Sequence, residues 1–215
     1  MTTALSLLVV GLLLGIRHAS DPDHVVAVST IVSRERSLLG AVGIGALWGL
    51  GHTATVFAIG TAIVLFKLAI TPRVGLAMEF CVALMLIVLG VQNLRAARAS
   101  APVPAPAKLR PLAVGMIHGV AGSAAVTLAV IALIPDPAWA LACLLVFGLG
   151  TMMGMTLITL AIALPAAYAA ARVDRLERGL RFASGVASVA FGLFLAHQIG
   201  VVDGLFSGTP RWEPK

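Results

Sequence analysis

Charge is scarce in this chain. Only 11% of its 215 residues are Asp, Glu, Lys or Arg, against about 25% in soluble domains. Hydrophobic residues make up 60% and the mean hydropathy is +1.03. A soluble globular domain is excluded, and an all-α polytopic membrane protein is expected. Cysteine is nearly absent. Cys81 and Cys143 fall in different apolar segments with no Cys-x-x-Cys, so a disulfide framework and a thiol electron carrier are both disfavoured. We read them as small membrane-core hydrophobes. No Walker A loop is present, so no ATP engine is visible. Met1-Thr2-Thr3 lacks a positive leader region and no small-residue cleavage site follows, so the first segment reads as a retained helix. The net charge of +6 comes from short loops, where it sets topology; no nucleic-acid partner is expected.

Six spanning segments are expected, near 4–32, 37–66, 74–94, 112–134, 138–170 and 182–202. The link 95–111 carries Pro102, Pro104, Pro106 and Pro111 and divides the chain. This gives a membrane unit over 1–94, the Pro-rich link, a second membrane unit over 112–202 and a short tail, 203–215. Loops after the first, third and fifth segments hold ten Lys or Arg; the other side holds four. The positive-inside rule then places both termini outside and the link in the cytoplasm.

The halves resemble each other. Gly15-Ile16-Arg17-His18 matches Gly115-Met116-Ile117-His118, one hundred residues on. Trp48-Gly49-Leu50-Gly51 matches Phe147-Gly148-Leu149-Gly150, ninety-nine on. Three helices per copy is an odd number, so the two copies are expected as inverted three-helix repeats. Transporters of that build hold their site at the repeat interface near the bilayer midplane.

What charge there is lies in an unexpected place. Arg17-His18-Ala19-Ser20-Asp21-Pro22-Asp23-His24 puts five ionisable side chains into eight positions of a hydrophobic stretch. Neither flank alone crosses a hydrocarbon core of about 30 Å; together they do, so the cluster lies within the membrane. A charge there costs at least about 2.5–3.5 kcal/mol and marks a functional site. Two imidazoles and two carboxylates without a thiolate suit a borderline divalent metal ion.

On an ideal helix, at about 100° per residue, Arg17, His18, Asp21 and His24 share a broad face and Asp23 points away. Pro22 prevents that ideal helix, because it lacks an N–H and clashes with the carbonyl four residues back. A kink there swings Asp23 toward the imidazoles. Arg17 and Asp21 have salt-bridge spacing, so Asp21 is given partly to Arg17, and His18, Asp23 and His24 are expected to hold the metal. The alternative is an internal network bracing the kink.

His52, between glycines near the middle of the second segment, is expected as a further ligand or pathway residue. His118 occupies the counterpart position of His18 but is followed by no carboxylates; it either lines the cavity or packs. Glu79 in the third segment either relays protons and attracts cations or reaches outward. Gln92, Asn93 and His197 read as interfacial. Met152, Met153 and Met155 read as helix packing.

His18-x4-Asp23-His24 resembles the hallmark pattern of the nickel/cobalt permease family, and Leu50-Gly51-His52-Thr53 is similar to that family's second signature. His118-Gly119-Val120-Ala121-Gly122-Ser123 resembles membrane proteins of the urease accessory and nickel-transport group. The resemblance implies a non-enzymatic secondary transporter of Ni²⁺ or Co²⁺ in a bacterial cytoplasmic membrane. Its metal residues would be His18, Asp23, His24 and His52, with Asp21, His118, Arg17 and Glu79 as secondary candidates. No permanently bound cofactor is implied. The partners would be the transported ion, the bilayer and nickel-enzyme maturation proteins. Better-known permeases carry the motif in the second of eight helices; here it lies in the first of six. Proton-coupled efflux and a non-transporting accessory factor are the alternatives.

Overall fold

In the computed structural model, the structure describes residues 2–33, 35, 37–98, 109–120, 134–170 and 174–212. Among these there is no strand. The helices are α1 (Thr2–His18), α2 (Pro22–Val32), α3 (Leu38–Phe66), α4 (Pro72–Arg98), α5 (Arg110–Val120), α6 (Pro137–Ala170) and α7 (Asp174–His197), which runs into a π-helical turn, Gln198–Val202. Four spans are long and apolar enough to cross a membrane, and the bent pair α1–α2 makes a fifth. This is a polytopic membrane protein. The fourth expected segment is described only as far as Val120. Most of the Pro-rich link and 121–133 lie outside the described residues, as do Arg34, Arg36, Lys108, Arg172 and Lys215.

The first expected span is two helices bent by 57°. Pro22 is the reason, although it does not kink a continuous helix: it starts a new one. Asp21, at φ −58° and ψ 144°, precedes it as N-cap. Pro is well suited to a first helical turn, where its missing N–H is no loss. The carbonyls of the preceding turn are satisfied by shorter-range bonds. The His18 carbonyl accepts from the Asp21 N–H at 3.1 Å, and the Arg17 carbonyl accepts from the Ser20 N–H at 2.9 Å and the Ser20 hydroxyl at 2.5 Å. No carbonyl of Arg17 or His18 is therefore stranded, which is the condition for irregular backbone at membrane depth.

Helix α3 is capped by Ser37, whose hydroxyl accepts from the Gly40 N–H at 3.3 Å. It ends at Lys67, a non-glycine residue in the left-handed region at φ 50°. Leu39 (85% exposed), Phe66 (72%) and Leu5 (65%) belong to a broad apolar exterior. In a membrane protein that surface faces lipid.

Glycines set how closely the helices approach. A Cβ at Gly15 would stand 2.1 Å from the Phe147 carbonyl oxygen, and one at Gly115 would stand 2.1 Å from the Trp48 carbonyl oxygen. Likewise Gly150 lies on the Leu12 carbonyl and Gly51 on the Leu112 carbonyl. These contacts exchange α1 on α6 for α5 on α3. Gly15 and Gly115, Phe147 and Trp48, and Gly150 and Gly51 are pairs matched in the sequence at offsets of 100 and 99, and Leu12 and Leu112 extend the match at the offset of 100. Helix directions follow from the order of contacts. Gly11 lies on Cys143, Gly15 on Phe147 and Gly154 on Ala19, so α1 and α6 run parallel. Gly115 on Trp48 and Gly119 on His52 make α3 and α5 parallel, whereas Gly45 on Thr156 and Gly49 on Met152 make α3 and α6 antiparallel. Helices α1 and α5 therefore run in opposite directions. Helices α4 and α7 cross antiparallel through Gly90 and Gly185.

Asn93 corrects an expectation. It is 1% exposed rather than interfacial, and its Nδ2 donates to the Thr30 carbonyl at 2.7 Å and the Ser33 hydroxyl at 2.9 Å. A buried side-chain amide tying two helices together inside the bundle has no water to compete with it.

Gly15→Ala and Gly115→Ala should each destabilise the protein by about 1–3 kcal/mol, the usual range for overpacking. Gly43→Ala, whose Cβ meets nothing within 4 Å, should not. Thermal unfolding in detergent measures the difference.

Candidate metal centre

Four histidines from four helices converge inside the bundle. His18 ends α1, His24 opens α2, His52 sits midway along α3 and His118 lies near the end of α5. His24 and His118 are 0% exposed, His52 1% and His18 6%. The ring centroids of His24 and His118 are 4.2 Å apart; those of His18 and His24, 4.7 Å; and His52 lies 5.2 Å from both His18 and His24.

Two carboxylates orient these rings. Asp21 Oδ2 accepts from His18 Nδ1 at 2.8 Å. The sequence expectation gave Asp21 partly to Arg17; the structure pairs it with His18. The bend turns the Asp21 carboxylate back onto the end of α1, which regular helical spacing could not anticipate. Asp23 bridges two histidines. Its Oδ1 accepts from His24 Nδ1 at 3.2 Å and from the His24 backbone N–H at 3.0 Å, while Oδ2 accepts from His118 Nε2 at 2.9 Å. Asp23 thus does reach the imidazoles, as the break at Pro22 led us to expect.

These bonds set the tautomers. A neutral imidazole has one N–H and one lone pair. His18 donates through Nδ1, which turns its Nε2 lone pair toward His52 Nε2 at 3.2 Å. His24 donates through Nδ1, which leaves Nε2 as acceptor. His118 donates through Nε2, which leaves Nδ1 as acceptor. His24 Nε2, His52 Nδ1, His118 Nδ1 and Trp48 Nε1 are buried with no hydrogen-bond partner. Buried polar atoms are normally satisfied, so these four are available to a bound ion or water. Ligand-capable atoms of His18, His24 and His52 all lie within 4.8 Å of one another, as do those of Asp23, His24 and His118. A carboxylate holding one ring nitrogen while the other faces a metal is the usual arrangement around bound ions.

Aromatic walls close the cluster. Trp48 packs at 5.6 Å from His24 and 5.7 Å from His118, and Phe147 at 5.5 Å from His18. Trp48 and Phe147 are counterparts in the two halves, as are His118 and His18. The match was legible in the sequence; the packing was not.

The remaining candidates fall elsewhere. Glu79 lies apart from the imidazoles, with its Oε1 accepting from the Trp212 indole N–H at 2.8 Å. Trp212 reaches it by lying on Gly75, where a Cβ would meet the indole at 2.3 Å. Arg17 occupies the last turn of α1 and does not pair with Asp21. His197 is exposed at the end of α7. Cys81 and Cys143 are both free.

The fold and cluster define a polytopic membrane protein with a buried imidazole–carboxylate centre. Over 219 residues the chain is 34% identical to the urease accessory protein UreH of Bacillus sp. (strain TB-90), covering 94% of this chain and 95% of that relative. It belongs to the UreH family of urease accessory proteins. No family model and no solved structure matches it.

Asp23→Ala should strand two buried imidazole N–H groups at about 1–3 kcal/mol each. Thermal unfolding of the metal-free protein should register that loss, and a smaller one for Asp23→Asn, which keeps one carbonyl acceptor.

Proposed function

We propose that this protein is a secondary transporter that carries Ni²⁺ or Co²⁺ across a bacterial cytoplasmic membrane, most simply inward. The observation that carries this is the convergence of four buried imidazoles, three of which, His24, His52 and His118, each keep a ring nitrogen with no hydrogen-bond partner. Neutral imidazole suits nickel, cobalt, zinc and copper(II). The relative's name, a urease accessory protein, favours nickel, the metal of that enzyme's maturation. In this reading His18, His24 and His52 hold the ion through ring nitrogens. The 3.2 Å between His18 Nε2 and His52 Nε2 suits two nitrogens sharing one ion at about 2.0–2.1 Å. Asp21 and Asp23 orient the rings and supply negative charge. Asp23, expected as a direct ligand, here serves first by fixing His24 and His118.

The ion needs no ATP to enter. Membrane potential contributes about 2.3 kcal/mol per charge per 100 mV, roughly 4.6 for a dication. That sustains an accumulation of about a thousandfold. The two membrane units, 1–94 and 112–202, would act as inverted repeats rocking about the cluster, with both termini outside and the Pro-rich link inside. No catalytic role is assigned, and no resident cofactor is needed. Efflux would have to overcome the same electrical term and so would require exchange with protons.

The second reading is a membrane accessory that passes metal to an enzyme-maturation protein without transporting it, and the relative's name favours it. Flux of radioactive Ni²⁺ into proteoliposomes separates the two. A transporter should accumulate Ni²⁺ under an inside-negative potential, with His18→Ala and His24→Ala each abolishing the flux. An accessory would show no flux in the wild type.

A further inference from the structure

We propose that the cluster offers the ion two positions, and that Asp23, His24 and His118 form the second. This rests on the reading of His18, His24 and His52 as an ion site.

Both sets bring three ligand-capable atoms within 4.8 Å of one another, and His24 is common to both. One imidazole cannot direct both nitrogens at one ion, because the two lone pairs diverge in the ring plane. Because Asp23 lies on the Nδ1 edge of His24, the second set is assigned to that edge and the first to the opposite, Nε2 edge. The Nδ1 edge faces Asp23 at 3.2 Å; the Nε2 edge has no partner. Among the members not shared, the rings of His52 on α3 and His118 on α5 have centroids 6.0 Å apart. The ligands also differ in kind. The first set is all imidazole, and the second adds a carboxylate, which suits a harder or more hydrated ion.

Tautomers make the positions mutually exclusive. Binding at the first position uses His24 Nε2 and requires its proton on Nδ1, donated to Asp23. Binding at the second uses His24 Nδ1 and requires that proton on Nε2, which is unpartnered in this structure. His118 makes the corresponding exchange if it ligates through Nε2, its proton moving to the unpartnered Nδ1. The carboxylate of Asp23 changes from hydrogen-bond acceptor to ligand. Protons shift within rings and none is gained or lost. The protein therefore holds one ion at a time, passed across His24 between a set completed by α3 and a set completed by α5.

The test is equilibrium binding of Ni²⁺ to the purified full-length protein in detergent, with Ni-edge X-ray absorption of the bound ion. The wild type should bind one ion. His52→Ala should still bind one, at least about tenfold more weakly, with fewer imidazoles and an added carboxylate oxygen. His118→Ala should bind one ion in an imidazole-rich environment. His24→Ala should lose both positions. His52→Gln and His118→Gln, which keep a polar side chain, should repeat the alanine results and separate ligand loss from misfolding. Equal abolition by His52→Ala and His24→Ala, with His118→Ala unchanged from the wild type, would leave a single position and overturn the proposal. Two ions bound together would overturn the exclusion. No Ni²⁺ binding by the wild type would overturn the underlying ion-site reading itself.

Discussion

The structure turns on the missing N–H of Pro22. A helix carrying polar groups through the middle of a bilayer can continue only if every backbone carbonyl keeps a partner. Pro22 cannot serve the His18 carbonyl, so α1 ends there. The Asp21 and Ser20 N–H groups take over the carbonyls of His18 and Arg17, and α2 starts at a 57° angle. The break brings the end of one helix and the start of the next to the same point. His18 and His24, six residues apart, face each other at 4.7 Å as a result, and each has a carboxylate beside it from the same short segment.

A broken span alone would not make an enclosed site. Enclosure depends on helices lying close enough for His52 and His118 to reach the break, and glycine permits that. Gly15 against Phe147 and Gly115 against Trp48 bring backbone onto backbone, which small residues allow in membranes. The same two carbonyls belong to the aromatic residues that wall the cluster, so the packing that joins the halves also shapes the site. The reciprocal contacts make the centre a property of both halves of the chain: three of its histidines come from the first and His118 from the second.

Much of this was legible in the sequence, and the limits have physical causes. Five ionisable groups in an apolar stretch marked the segment around which the buried cluster forms, and the offsets of 99 and 100 marked residues that do pack reciprocally. Five of the six expected spans were also legible, one of them as a bent pair, because lipid demands long apolar helices. The partners of the carboxylates were not. Assigning Asp21 to Arg17 assumed regular helix spacing, which the break removes. The bridge from Asp23 to His118 joins residues 95 apart, and no local pattern encodes such a contact. Asn93 looked interfacial because it sits near a helix end; its burial comes from neighbours on α2 and α7, the Thr30 carbonyl and the Ser184 hydroxyl. Glu79 looked like a lone membrane acid because Trp212 lies 133 residues away.

The central claim is that the imidazoles of His18, His24, His52 and His118 enclose a divalent transition-metal ion within the membrane. Anomalous diffraction at the nickel edge from crystals of the full chain soaked in Ni²⁺ tests it most directly. The claim predicts a peak beside the His24 ring, bounded by His18 and His52 or by Asp23 and His118. A peak confined to surface residues, or none in this space at saturating Ni²⁺, would contradict it.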